Sequence, residues 1–196
     1  MSWITWEDSD TPCCEECGGA LEEEDIDDGE CPYCEHPRKW DEDWALERAT
    51  EAAVSAGCAK SKRGVIIWDP TNRDLGYALG QNSPPFPFIC DGSEQCRGSC
   101  NKLAVHAEQA ALLEWLGREN VNSMDLRECE LLHVKVVDGE AVPSGPPSCW
   151  QCSRLISEVG FFRKVWLLHE VGLKAYTPYE FHLLTLENCG LPAISY

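Results

Sequence analysis

From Trp40 to Ala59 the apolar and small positions Trp44, Ala45, Ala49, Ala52, Ala53 and Ala56 recur every three or four residues, which predicts an amphipathic helix stopped by Gly57. The pattern then changes period. Gly64 to Asp69 reads as a strand, Asp69-Pro70-Thr71-Asn72 as a turn, and Leu75 to Gly80 as its antiparallel partner. Asn82 to Phe88 is punctuated by prolines that lack a ladder donor, so it is expected to be a loop close to whatever site the chain builds. Cys90 to Cys100 reads as a Gly-rich polar loop, and Ala104 to Gly117 as a helix carrying His106 and Glu108 in its first turn. Glu130 to Asp138 is almost continuously apolar, the mark of a central strand. Pro143 to Pro147 is a loop. Ser148 is the expected cap of a helix that places Cys149, Cys152, Leu155, Ile156 and Val159 on one face before Gly160. Lys164 to His169 and Leu173 to Tyr176 are further strands, paired antiparallel because the turn at Gly172 is short, and Pro178 to Glu187 is a closing helix. This alternation predicts an α/β domain over residues 40–196.

The first 39 residues have no such period. Trp3 and Trp6 stand among acids, and Cys14-x-x-Cys17 and Cys31-x-x-Cys34 are separated by thirteen residues, with Cys13 an alternative to Cys14. Two such knuckles look like a zinc ribbon, in which four thiolates around one Zn²⁺ supply the folding energy that a short acidic segment lacks.

Charge follows the same division. The 196 residues carry a formal charge of −18, but residues 1–43 hold 16 acidic and 2 basic side chains, which leaves 18 acidic and 14 basic, a net −4, for the remainder. An acidic arm of this kind suits a protein partner. The body has no basic stripe for a nucleic-acid strand, so nucleic acid is a secondary expectation. No apolar run approaches the roughly 18 residues of a membrane span, and the N-terminus lacks a signal-peptide pattern, so a cytoplasmic setting without membrane contact is expected. The 13 cysteines are then read as metal ligands, reactive thiols or small buried hydrophobes. Cys90, Cys96 and Cys100 are one ligand short of a closed shell that Cys129, Cys58 or a histidine would complete, and reduced cysteines or a redox pair are the alternatives.

The sharpest chemistry is His106-x-Glu108 followed by Cys149-x-x-Cys152. One imidazole and two thiolates leave a fourth zinc position open, the mark of a catalytic rather than a structural site, and Glu108 is an acid/base group beside it.

His106-Ala107-Glu108 with Pro147-Ser148-Cys149-x-x-Cys152 resembles the cytidine deaminase superfamily, whose signature is H-x-E followed by P-C-x-x-C. The resemblance implies a three-layer α-β-α fold with a mixed sheet of about five strands. It also implies zinc-dependent hydrolytic deamination of a cytosine nucleoside or nucleotide, with His106, Cys149 and Cys152 as zinc ligands and Glu108 as proton carrier. Ser148, between the proline and the first cysteine, departs from the pattern. By the same resemblance Asn82 is a sugar contact and Ala107 lines the base pocket. Trp150 either stacks on a base or packs against the neighbouring strand. The cysteine-bearing insert resembles deoxycytidylate deaminases, with Arg97 and Lys102, and after them Lys60, Lys62 and Arg63, as phosphate candidates. The antiparallel end of the sheet instead resembles free-nucleoside deaminases. Homo-oligomers, a polynucleotide substrate and a non-catalytic zinc scaffold are the further readings.

Overall fold

The computed structural model describes residues 3–5, 12–14, 40–59, 61–84, 88–119, 126–145, 147–159 and 162–192. The chain divides into two units, 1–39 and 40–196. In the first, β1 (Trp3–Thr5) and β2 (Pro12–Cys14) pair antiparallel, with Trp3 opposite Cys14. The expected ligands Cys17, Cys31 and Cys34 lie outside the described residues.

The second unit begins with α1 (Glu42–Val54), whose first turn is capped by Asp41 accepting from Trp44 N–H at 2.9 Å. Strands β3 (Lys62–Trp68) and β4 (Tyr77–Gln81) follow, then helices α2 (Glu94–Leu103) and α3 (Ala107–Leu116). Next come β5 (Glu130–Val137), β6 (Glu140–Val142), α4 (Trp150–Val159), β7 (Lys164–His169), β8 (Gly172–Tyr176) and α5 (Pro178–Asn188). The sheet order is β4-β3-β5-β7-β8 with β6 added beside β5, and the β5–β7 pair alone is parallel. It is a mixed six-stranded sheet between helical layers.

Strand alternation sorts the core. Ile66, Trp68, Leu132, Val134 and Val136 face α1 through Trp44, Ala45, Ala49 and Ala53. Val65, Ile67, Leu131, Val165 and Leu167 face the layer holding Ala111, Trp115, Ile156 and Phe181 from α3, α4 and α5. Because β3 and β5 are covered on both faces, their apolar runs are continuous.

Two expectations are corrected, and one strand is added to the expected sheet. The Cys90–Cys100 stretch is largely helical: Ser93 Oγ accepts the Cys96 N–H at 3.1 Å and opens α2, and Gly98 is absorbed in its interior. A sixth strand, β6, turns back on β5 through Asp138 (φ 53°) and Gly139 (φ 91°), the two positive angles of a tight hairpin turn. Leu155, expected on the buried face of α4, is exposed at 36%. A Cβ added at Gly139 meets nothing within 4 Å, so Gly139→Ala costs backbone strain alone, about 1 kcal/mol. Thermal melting should show a fall of roughly 2–4 °C. Among the described residues no helix is long and apolar enough to cross a membrane.

Candidate active site

Three local features bring the expected ligands together. Val105 and Ser83 exchange backbone hydrogen bonds of 2.9 and 3.1 Å, which pins the approach to α3 beside the end of β4. His106 then stands at the N-cap with extended φ −80° and ψ 154°, its N–H bonded to Gln109 Oε1 at 3.1 Å. Because His106 is extended and Glu108 helical, side chains two residues apart can converge. Third, Gly80 lets α3 lie directly on β4: a Cβ there would be 2.1 Å from the Ala107 carbonyl oxygen.

On α4, Cys149 takes the capping place expected of Ser148. Its carbonyl accepts from Ser153 N–H at 3.0 Å and its Sγ from Cys152 N–H at 3.3 Å. His106 Nδ1 lies 3.2 Å from Cys149 Sγ and 3.3 Å from Cys152 Sγ. These three ligand atoms all fall within 4.8 Å of one another. Nitrogen and thiolate ligands bonded to zinc at 2.0 to 2.3 Å stand about 3.5 Å apart around a tetrahedral centre, so this donor set fits zinc.

Electrostatics agree. The Cys149 thiol is drawn down to about 4, first by its hydrogen bond with Cys152 and then by His106 against the effect of burial, whereas Cys152 is pushed far up by the same sharing. One proton leaves this pair readily and the second reluctantly, as for two thiolates whose charges need a common cation. His106 is raised, chiefly by Cys149.

Glu108 is 4% exposed and stands outside the ligand trio. Burial alone would push its carboxyl up. The interaction with His133, the Ser148 bond and its own backbone N–H outweigh that and leave it below its ordinary value. Ser148 Oγ–H donates to Glu108 Oε1 at 2.5 Å. The residue that breaks the sequence pattern thus grips the carboxylate.

The other candidates are spread more widely. Asn82 is buried, its Nδ2 donating to the Ser61 carbonyl at 2.7 Å and its Oδ1 accepting the Arg63 N–H at 2.7 Å, so its amide ties β4 to β3. Ala107 is buried at the start of α3. Trp150 is 41% exposed, with the Arg154 guanidinium 5.5 Å from its ring centre, and it lines a groove of about 720 Å³ with Tyr179 and His182 of α5. Cys90 Sγ is 3.5 Å from Cys96 Sγ and accepts the Ala59 N–H at 3.2 Å; Cys58 lines the same pocket, whereas Cys129 is in the hydrophobic core. The side chains of Cys100, Arg97 and Lys102 lie outside the described residues, as does Lys60. Lys62 donates to the Val54 carbonyl at the end of α1. His133, fully buried in the apolar run of β5, drew no attention in the sequence; the lone imidazole within that run was its signal.

A cytidine deaminase from Burkholderia pseudomallei superposes with a TM-score of 0.50 at 17% identity, covering 72% of this chain and 95% of that one. The fold is that of the cytidine deaminases. A dCMP deaminase from the cyanophage S-TIM5, solved with dCMP and dUMP, matches at TM-score 0.46 and 25% identity over 63% of this chain and 76% of its own. The cytidine deaminase of Mycobacterium tuberculosis matches at 0.42 and 18% over 69% and 91%. No protein-family model matches the chain, and no curated protein sequence does.

Proposed function

We propose that the chain is a zinc-dependent deaminase that hydrolyses a cytosine nucleoside or nucleotide to the uracil product and ammonia. The observation that carries this reading is the buried Glu108 carboxylate, placed beside the His106, Cys149 and Cys152 trio but not part of it. Zinc held by these three side chains would leave a fourth position for water and supply the Lewis acidity for its attack at neutral pH. Glu108 takes the proton that the attacking water gives up and delivers it to the departing nitrogen. Ser148 holds Oε1, which leaves Oε2 for that traffic. The N–H of Ala107, one of the first-turn donors a helix leaves unpaired, is available to a ring carbonyl.

Metal analysis together with ammonia release from cytidine, deoxycytidine and their 5′-monophosphates tests the proposal. Zinc near one per catalytic unit with turnover of any of the four supports it. Silence on all four with turnover of an oligonucleotide would replace it by polynucleotide deamination.

Ser148 gives a finer check. Ser148→Ala frees Glu108 Oε1, and kcat should fall roughly tenfold, the loss of one charge-assisted hydrogen bond, with KM little changed. Ser148→Thr, which keeps the hydroxyl, should recover most of the rate; no difference between the two variants would dismiss the bond.

A further inference from the structure

Cys90 and Cys96 take no part in the chemistry proposed above, yet the fold holds their sulfurs 3.5 Å apart. Local sequence explains the closeness. Gly92, at φ 71°, turns the chain directly after Cys90 in a region that other residues enter at a cost. Asp91 Oδ1 accepts the Ser93 N–H at 2.9 Å and Ser93 Oγ accepts the Cys96 N–H at 3.1 Å, so the turn runs straight into the start of α2.

Both sulfurs belong to half-buried residues in a cleft of about 300 Å³, at the lower end of the range for small-molecule sites. Ile89 beside them is 90% exposed, so the cleft is open to solutes. Cys90 Sγ accepts the Ala59 N–H at 3.2 Å. That bond and the Gly92 N–H draw the Cys90 thiol below its ordinary value, whereas Cys96 is pushed up, chiefly by sharing with Cys90. The pair thus divides into a thiolate suited to attack and a thiol that keeps its proton until a later step. A metal shell is the competing use of such sulfurs. It needs three or four ligand atoms drawn round one point, and among the described residues only those of His106, Cys149 and Cys152 are so drawn, within 4.8 Å of one another. Cys58 lines the cleft with Cys90 and Cys96 but does not complete such a trio.

We propose that Cys90 and Cys96 are a reversible dithiol–disulfide site whose oxidant is a low-molecular-weight disulfide. The Cys90 thiolate attacks one sulfur of the reagent, forms a mixed disulfide and expels the other half as a thiolate. Cys96 gives its proton to that thiolate and attacks Cys90 Sγ. The second half leaves as a thiolate and takes up the proton that Cys90 had released to water. Two protein thiols and one small disulfide become one protein disulfide and two small thiols, and two electrons pass to the reagent. The sulfurs must close from 3.5 Å to about 2.05 Å, a movement of about 1.5 Å. The cleft adjoins the segment that presents His106, because Pro84 and Ala104 line it and their neighbours Ser83 and Val105 form the bridge ahead of α3.

The test treats the zinc-loaded full chain with mixtures of reduced and oxidised glutathione, alkylates the remaining thiols and digests with trypsin. Cleavage after Arg73 and Arg97 leaves Cys90 and Cys96 as the only cysteines of peptide 74–97. Raising the oxidised fraction should convert the doubly alkylated peptide into one bridged internally, lighter than the unmodified peptide by two hydrogens, and dithiothreitol should reverse the change. Cys96→Ser should stop at the mixed disulfide on Cys90, and Cys90→Ser should take up far less glutathione than Cys96→Ser. A wild-type peptide still alkylated at both positions when the exposed Cys189 carries glutathione overturns the site. So does a bridge from peptide 74–97 to peptide 49–60, which carries Cys58. Thiols that resist alkylation until a chelator removes a zinc ion overturn it in favour of a metal shell. None of these measurements involves turnover, so the deaminase reading and the thiol pair stand or fall separately.

Discussion

Replacing Glu108 by Gln is expected to lower turnover of the cytosine substrate by about 10²- to 10⁴-fold, the range lost with a positioned acid/base group. The substitution is nearly isosteric, and its amide oxygen can still accept the Ser148 hydroxyl that Glu108 Oε1 accepts at 2.5 Å. Packing should therefore be kept, and what disappears is a group that can take up and return a proton. Zinc content should stay at the wild-type value, because the three ligand atoms belong to His106, Cys149 and Cys152. Ammonia release and metal analysis on the same sample decide the matter. A variant that works within about tenfold of the wild type would remove Glu108 as the proton carrier, and loss of zinc in step with activity would make it a ligand. Unchanged function in the cell with zinc retained would favour a scaffold.

The contrast between Glu108 and its neighbours explains what could be read from sequence. His106, Glu108, Cys149 and Cys152 were legible because their chemistry is written in short spacings at two helix starts. Strands β3, β4, β5, β7 and β8 were legible because burial on one or both faces imposes a period. The helix α2 was not. Gly98, Ser99 and Cys100 are weak helix formers, and the Ser93 cap that offsets them is a single hydroxyl. Strand β6 had a signal in Asp138-Gly139, but three residues are too few to show a period. Ser148 looked like a cap because serine usually is one. Only the approach of residue 108, forty positions away, shows that its hydroxyl goes to Glu108. Arg63 comes to stand opposite Lys135, and Val65 opposite His133, through strand register, which sequence spacing does not carry. The ribbon cysteines beyond Cys14 lie outside the described residues.

The second large effect is expected at Gly80, a residue with no chemistry of its own. A Cβ there would stand 2.1 Å from the Ala107 carbonyl oxygen, 2.4 Å from Ala111 N and 2.8 Å from Ala111 Cβ. Two of these are backbone atoms of α3, so the clash cannot be relieved by a rotamer change; the helix must lift from β4. Overpacking of this kind costs typically 1–3 kcal/mol and here falls at or above the upper end. For a chain of this size a loss of about 3 kcal/mol lowers the melting temperature by roughly 6–12 °C. Because α3 carries Glu108 and begins at His106, Gly80→Ala should also misplace the site by an ångström or so, which is worth about 10²-fold in rate. Gly64 supplies the control. Its Cβ would stand 2.0 Å from the Ala49 carbonyl oxygen and 2.8 Å from Ala53 N, so Gly64→Ala pushes on α1, on the opposite face and without site residues. The two variants should lose similar stability, while turnover measured well below both melting temperatures should collapse only in Gly80→Ala. Equal loss of activity in both would mean that general loosening governs the rate. A Gly80→Ala protein with wild-type melting and turnover would show that the approach of α3 to β4 does not hold His106 and Glu108 in place.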